Sequence, residues 1–335
     1  MRKPALSSCC LCLILLLLPT AARAATLQAQ WENDLFADSD KHYTNGAKII
    51  LLSDDLKTPA ESWLVPQGLG DWLAGLPGMS GRDGLFNVGL AVGQDMYTPD
   101  DTSLSDPPTD DRPYAGWLYG SLLLDRKDAS WLDTLELTMG MVGPSSHADD
   151  AQRTAHNVFG SEPAKGWSTQ LHDEFGAMLS YTAFWRALEI PLAGSLGADL
   201  IPHFGATIGN VKTYANAGAE FRLGWDLPGN FGITPIGPGS GETTGMAQGK
   251  ESPTFSIYLF AYVDGQAVAH NIFLDGNTFR SSRHVPKKAL VGDAAAGVGM
   301  EVCDLFVTFC YVSRSPEFYG DSGQNFGSVT VGYRF

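Results

Sequence analysis

The sequence predicts an all-β protein: a 12-stranded antiparallel transmembrane β-barrel with a short helix in an extracellular loop. Three observations carry that reading. The N-terminus is an export signal. Period-two alternation recurs in segments of about ten residues or more, the length a tilted strand needs to cross a bilayer. The chain also closes on "SVTVGYRF", an alternating Val329, Val331, Tyr333, Phe335 strand with an aromatic last residue, as outer-membrane barrels end.

Residues 1–24 read "MRKPALSSCCLCLILLLLPTAARA". Arg2 and Lys3 form a positive start, the Cys/Leu/Ile run an apolar core, and Ala22-Arg23-Ala24 a signal-peptidase site. The apolar run is too short for a stable membrane helix. No apolar stretch precedes Cys9, Cys10 or Cys12, which weakens a lipoprotein reading. Cleavage after Ala24 leaves residues 25–335 as one outer-membrane domain without a composition break, repeat or long linker.

Loss of Arg2, Lys3 and Arg23 takes the formal charge from −15 to −18. Without a basic patch to release phosphate counterions, nucleic acid is disfavoured as a partner. Of five cysteines only Cys303 and Cys310 remain. Their odd spacing in a strand sends them to opposite faces, so a disulfide framework is excluded and a bond would need an intervening turn.

Alternation places the strands at roughly 26–32, 44–52, 84–96, 114–124, 131–142, 175–187, 195–207, 211–225, 254–264, 288–301, 304–313 and 326–335. In the eighth, Thr213, Ala215, Phe221, Leu223 and Trp225 share one face while Lys212, Tyr214, Asn216, Glu220 and Arg222 share the other. Apolar-out, polar-in alternation suits a barrel with lipid outside. With both termini in the periplasm, connections 33–43, 97–113, 143–174, 265–287 and 314–325 fall on the extracellular rim. The long connections 53–83 and 226–253 then fall on the periplasmic side, where turns are normally short. The first contains "ESWLVPQGLGDWLAGL", readable as an amphipathic helix against the inner leaflet face.

The first outer loop, within "WENDLFADSDKHYTNG", gathers Asn33, Asp34, Asp38, Asp40, Thr44 and Asn45. A solvated hairpin turn and a metal or catalytic site both fit that composition. In the third, the sequence predicts a short helix over about 149–159 with Asp149 or Asp150 as its cap. Gln152 and His156, four apart, share a helical face. A lone loop histidine is usually a solvated polar residue. One sharing a face with Gln152 and followed by Glu162 also has the arrangement of a general base oriented by hydrogen bonds.

Other short motifs lead nowhere. "GDSG" at 320–323 lacks every other protease feature, and no G-x-S-x-G elbow exists. Asp38-Ser39-Asp40 begins like an EF-hand, but His42 takes the third ligand position and no glycine follows it. The histidines show no zinc spacing.

Four blocks, "ENDLFADSDKHYTNG", "DRPYAGWLYG", "GMVGPSSHADDAQRTAHNVFG" and "KGWSTQLHDE", resemble in order the signature blocks of the outer-membrane lipid A 3'-O-deacylases. The blocks span residues 32–174, and the strand pattern extends the likeness to the C-terminus. That resemblance implies a calcium-dependent, twelve-stranded barrel that removes the acyloxyacyl chain from the 3' position of lipid A. Carried over by motif, its functional positions are Asn33 and Asp34, then Thr44, then Gln152, His156 and Glu162. The long 53–83 connection departs from the compact members of the family, which leaves substrate range less defined than fold.

The chemistry expected is ester hydrolysis by water. His156 acts as general base with Gln152 and Glu162 fixing its ring. Asp34 holds Ca²⁺, a hard cation that prefers oxygen ligands, and Asn33 or Thr44 helps to stabilise the oxyanion. Thr44 as a covalent nucleophile would need a base in direct contact. The partner is lipid A, or lipopolysaccharide, in the outer leaflet, with no obligate protein partner evident. The rivals are an outer-membrane phospholipase, whose Ser–His strand motif is missing, and a non-enzymatic barrel such as a porin, which twelve strands make too narrow to favour.

Overall fold

The computed structural model describes residues 26–34, 42–62, 64–81, 83–159, 162–236, 246–250 and 252–335. The expected export signal, Asp38 and Asp40 lie outside them.

Alternating residues form β1 (Thr26–Asn33), β2 (His42–Leu52), β3 (Leu85–Thr98), β4 (Ala115–Lys127), β5 (Trp131–Val142) and β6 (Glu174–Trp185). β7 (Leu188–Ala193), β8 (Leu196–Gly209), β9 (Lys212–Trp225), β10 (Phe255–Asn271), β11 (Leu290–Val302), β12 (Leu305–Arg314) and β13 (Gln324–Arg334) follow. β6 breaks after Trp185 and β7 continues it, both pairing with β8, so thirteen segments make twelve staves. β1 pairs with β13 and closes the barrel. The predicted fold class is the observed one.

Besides the β7 continuation, which carries the sixth stave past its expected end at 187 to Ala193, two elements differ from expectation. β10 runs to Asn271 instead of ending near 264. The β8–β9 turn is tight, so the start of β9 needs a partner on its other side, and β10 supplies one as far as Asn271 opposite Lys212. The second difference is larger, because 226–253 is not simply a connection at the rim that holds the chain end. Ile233 N donates to Glu220 Oε2 (2.8 Å) and Ile236 N to Glu32 Oε1 (2.7 Å), while Thr234 O accepts from Gln30 Nε2 (3.1 Å). Those partners face the lumen, so residues 230–236 run up inside the barrel. Buried backbone groups must be paired, and inward carboxylates and amides do the pairing. Ala247 N donates to Gly229 O and Gln248 N to Asp128 O, back at the rim.

This segment and an aromatic core that includes Tyr43, Tyr97, Trp117, Tyr258 and Phe326 fill the lumen. Buried ion pairs Lys48–Glu136 (3.3 Å) and Arg222 Nε–Asp199 (2.8 Å) and a His203–Asp264 hydrogen bond (2.9 Å) brace it. Among the described residues, a cavity inside the barrel between Tyr97, His203, Lys212 and Arg314 holds about 70 Å³. That is room for roughly two waters. It is not a pore.

The outer wall exposes Leu122, Ile208 and Leu259 among many apolar side chains, the mark of a lipid-facing band. Helix α1 (Gln67–Ala74) lies outside this wall near the rim of the chain end. Its segment packs Leu64, Val65, Leu73 and Met79 against outward-facing Phe86, Val88 and Leu124. Leu69 and Trp72 stay exposed, which makes the segment amphipathic as expected. Helix α2 (Ala148–Phe159) and helix α3 (Ile272–Asp275) belong to the opposite rim, which carries the long loops. Cys303 and Cys310 are both free; Cys303 sits in the β11–β12 turn.

Candidate active site

Alternation decides which side of the wall each site residue faces. On β1, Gln28, Gln30 and Glu32 are buried in the lumen, so Trp31 and Asn33 face outward. Asn33 ends the strand opposite Asn45 on β2, and its Nδ2 donates to Asn45 Oδ1 at 3.1 Å. Asp34 follows at once, only 1% exposed.

β2 has a bulge between Tyr43 and Asn45. One extra residue at a bulge re-aims its side chain, and here it lets Tyr43 point inward while Thr44 and Asn45 stay with the outward row. The Tyr43 hydroxyl passes over Gly46, where a Cβ would sit 1.8 Å from it. Thr44 Oγ1 pairs with Thr98 Oγ1 on β3 at 2.7 Å. Among the described residues the partner of Thr44 Oγ1 is therefore a hydroxyl and not a base.

Helix α2 sits on the outside of β3 and β4. Gln94 Nε2, outward on β3, donates to Ser146 O (2.6 Å) in the turn before the helix. At Gly116 on β4 a Cβ would lie 2.1 Å from Ser146 Oγ and 2.4 Å from Ala148 Cβ. Only glycine allows that approach, which explains the first glycine of "PYAGWLYG". Met96, opposite Asn45 on β3, shares a buried cluster with Tyr114, Ala148 and Trp167. Met96 is thus the floor that joins the Asn33–Asn45 row to the helix.

The helix begins at Ala148, one residue before expectation, with Asp149 and Asp150 in its first turn, where negative charge suits the helix dipole. Gln152 is buried (4% exposed), and its Oε1 accepts from Trp167 Nε1 at 2.7 Å. Its oxygen is committed to the indole, so the expectation that Gln152 orients His156 gives way to a seat for the helix on the "KGWSTQ" segment. His156 Nδ1 lies 2.6 Å from the main-chain oxygen of Glu162. Glu162 meets the ring through its backbone, and its exposed side chain is not the group in contact.

The site residues thus form two groups, Asn33, Asp34 and Thr44 on the wall and Gln152, His156 and Glu162 on the helix and its return. Sequence reasoning gave no role to Trp167, Thr98 or Asn45. Trp167 and Asn45 stood in quoted blocks, so their positions were visible and their partners were not.

At the mouth, Arg112 (0% exposed) donates to Glu317 Oε2 at 3.1 Å and lies over the Tyr97 ring. Burial alone would raise the Glu317 pKa, but the charges of Arg112, Arg314 and Lys212 outweigh it and bring it down to about 2. Among the described residues no group of three or more His, Cys, Asp or Glu is gathered for a metal.

Comparison with known proteins follows the same lines. A family model described as "Outer membrane protein LpxR" matches residues 7–335. LpxR from Salmonella typhimurium superposes with a TM-score of 0.74 at 18% identity, covering 92% of this chain and 100% of that one. The β domain of the Bordetella autotransporter BrkA (TM-score 0.42, 11% identity, 93% and 97% coverage) and the translocator domain of NalP from Neisseria meningitidis (0.39, 11%, 93% and 89%) are looser barrel likenesses. No curated protein sequence matches.

Proposed function

Because the chain belongs to the outer membrane protein LpxR family, we propose that it hydrolyses the ester holding the acyloxyacyl chain at the 3' position of lipid A. In this reading residues 1–24 direct export, the long-loop rim faces the cell exterior, and the site meets lipopolysaccharide in the outer leaflet. One observation carries the chemistry. A carbonyl oxygen only accepts, so the 2.6 Å contact with Glu162 O places the hydrogen on His156 Nδ1. The lone pair is then on Nε2, as a general base requires.

His156 Nε2 takes a proton from water as the water oxygen bonds to the ester carbonyl carbon. The same proton passes to the departing sugar oxygen when the C–O bond breaks, giving a free fatty acid and a hydroxyl. Gln152, through Trp167, holds the helix that carries the base. Thr44, bonded to the Thr98 hydroxyl, has no base in contact among the described residues and suits a polar lining role better than a nucleophilic one.

The donor set of Asn33, Asp34 and Thr44 offers oxygens alone, which fits a hard cation such as Ca²⁺ with Asp34 as its charged ligand. When bound, such a cation supplies positive charge that polarises the ester carbonyl. The placement of these groups on the outside of the wall supports the reading, since a lipid reaches them laterally without entering the lumen.

The test is mass spectrometry of lipid A from cells with and without the chain. Loss of the mass of the 3' acyloxyacyl group is expected. Unchanged lipid A together with lysophospholipid would favour the phospholipase reading instead. A filled lumen speaks against a porin.

A further inference from the structure

Trp31 stands two residues before Asn33 on the outward face of β1, roughly 7 Å further down the wall. Its Nε1 donates to Asn45 Oδ1 at 2.7 Å, the same oxygen that accepts from Asn33 Nδ2 at 3.1 Å. An indole N–H only donates, so the fork also determines how the Asn45 amide is turned. One side chain thus fastens both the polar residue at the rim and the aromatic below it.

Across that row Trp31 faces Ala47 on β2, and Ala47 faces Gln94 on β3. Gln94 is pinned in turn by its bond to Ser146 O before α2. An exposed methyl therefore lies between two anchored side chains, with roughly 10 Å between the β1 and β3 backbones. This trough opens downward onto Ala29, Ile49 and Val92 and continues into the lipid-facing wall. The continuity selects its occupant, a saturated acyl chain of a lipid whose ester lies at the level of Asn33 and Thr44.

We infer that Trp31 is a specificity-determining residue whose indole forms the side wall for the methylenes roughly 7 Å down the scissile acyl chain from its ester, which a short chain does not reach, with Asn45 as the positioning residue that holds it. The inference rests on the deacylase reading.

The experiment uses the full-length barrel and lipid A carrying 3' chains of different defined lengths. Trp31→Ala changes the ratio of kcat/KM between long and short chains by about tenfold, the scale of a few apolar contacts, and Trp31→Phe keeps the parental ratio. Asn45→Ala lowers kcat about tenfold, and Asn45→Asp, which still accepts both bonds, restores it. Ala47→Leu fills the trough and lowers kcat/KM. An unchanged chain-length ratio in Trp31→Ala, or equal loss in Asn45→Ala and Asn45→Asp, overturns the inference. If the parent releases no acyl chain, the deacylase reading is what fails. The trough is then read by quenching of Trp31 emission (parent minus Trp31→Phe) with lipids brominated near the ester. Quenching that Ala47→Leu abolishes supports the trough, and quenching that it leaves unchanged overturns it.

Discussion

The imidazole Nδ1 of His156 lies 2.6 Å from the main-chain oxygen of Glu162, six residues further along the chain. A backbone acceptor is present whatever side chain stands at 162. The ring is therefore oriented by the path of the chain, and the Glu162 carboxylate is free to vary.

His156→Ala or His156→Asn should leave the barrel heat-modifiable and lower turnover by about 10²–10⁴-fold, the usual contribution of a positioned base. His147→Ala and Glu162→Gln should retain most activity, since His147 makes only an exposed contact with Asp150 and Glu162 acts through its carbonyl. A dead His147→Ala, or a fully active His156→Ala, would show that the base lies elsewhere.

Deacylation should stop on chelation and return with Ca²⁺. Asp34→Ala should abolish that rescue, because it removes the one charged oxygen ligand assigned to the cation. Full activity in excess EDTA removes Asp34 from this role.

Gly116→Val should unseat helix α2 without opening the barrel. Its new methyls would overlap Ser146 and Ala148, and a misplacement of about 1 Å can cost on the order of 10²-fold in rate. Gly120→Val, outward on the same strand and with nothing nearer its Cβ than Ala91 O at 3.7 Å, is the control and should stay active. Equal activity of the two variants would mean that the seat of the helix does not matter.

The Arg112–Glu317 pair predicts acid resistance at the mouth. The folded pKa of Glu317, about 2, is below its ordinary 4.5. Its contribution is therefore fully present above about pH 4.5 and lost as pH falls through 2, on the order of 3 kcal/mol in all. Unfolding in detergent between pH 5 and 2 should be advanced in Glu317→Gln relative to the parent. Coincident acid transitions would contradict the pairing.

The sequence by itself determined the staves and their facing, because period two reports directly which side of a sheet each residue occupies. Twelve strands, their bounds to within a few residues except at β10 and at the β7 continuation of the sixth stave, and the place of Asn33 at the end of the first strand were all legible. So was the helix over Gln152 and His156, whose spacing puts both on one face. The tertiary structure alone decided what those faces meet. Nothing in "LPGNFGITPI" has a period, so only the pairing of its backbone with Glu220, Gln30 and Glu32 shows that it enters the lumen. Gln152 turned out to serve Trp167, fifteen residues on, instead of its helical neighbour. The group that orients His156 is a carbonyl, which every residue possesses and no sequence pattern can single out. Local chemistry sets which way a side chain points, and the partner it finds there depends on the closure of a barrel whose contacts span the whole chain.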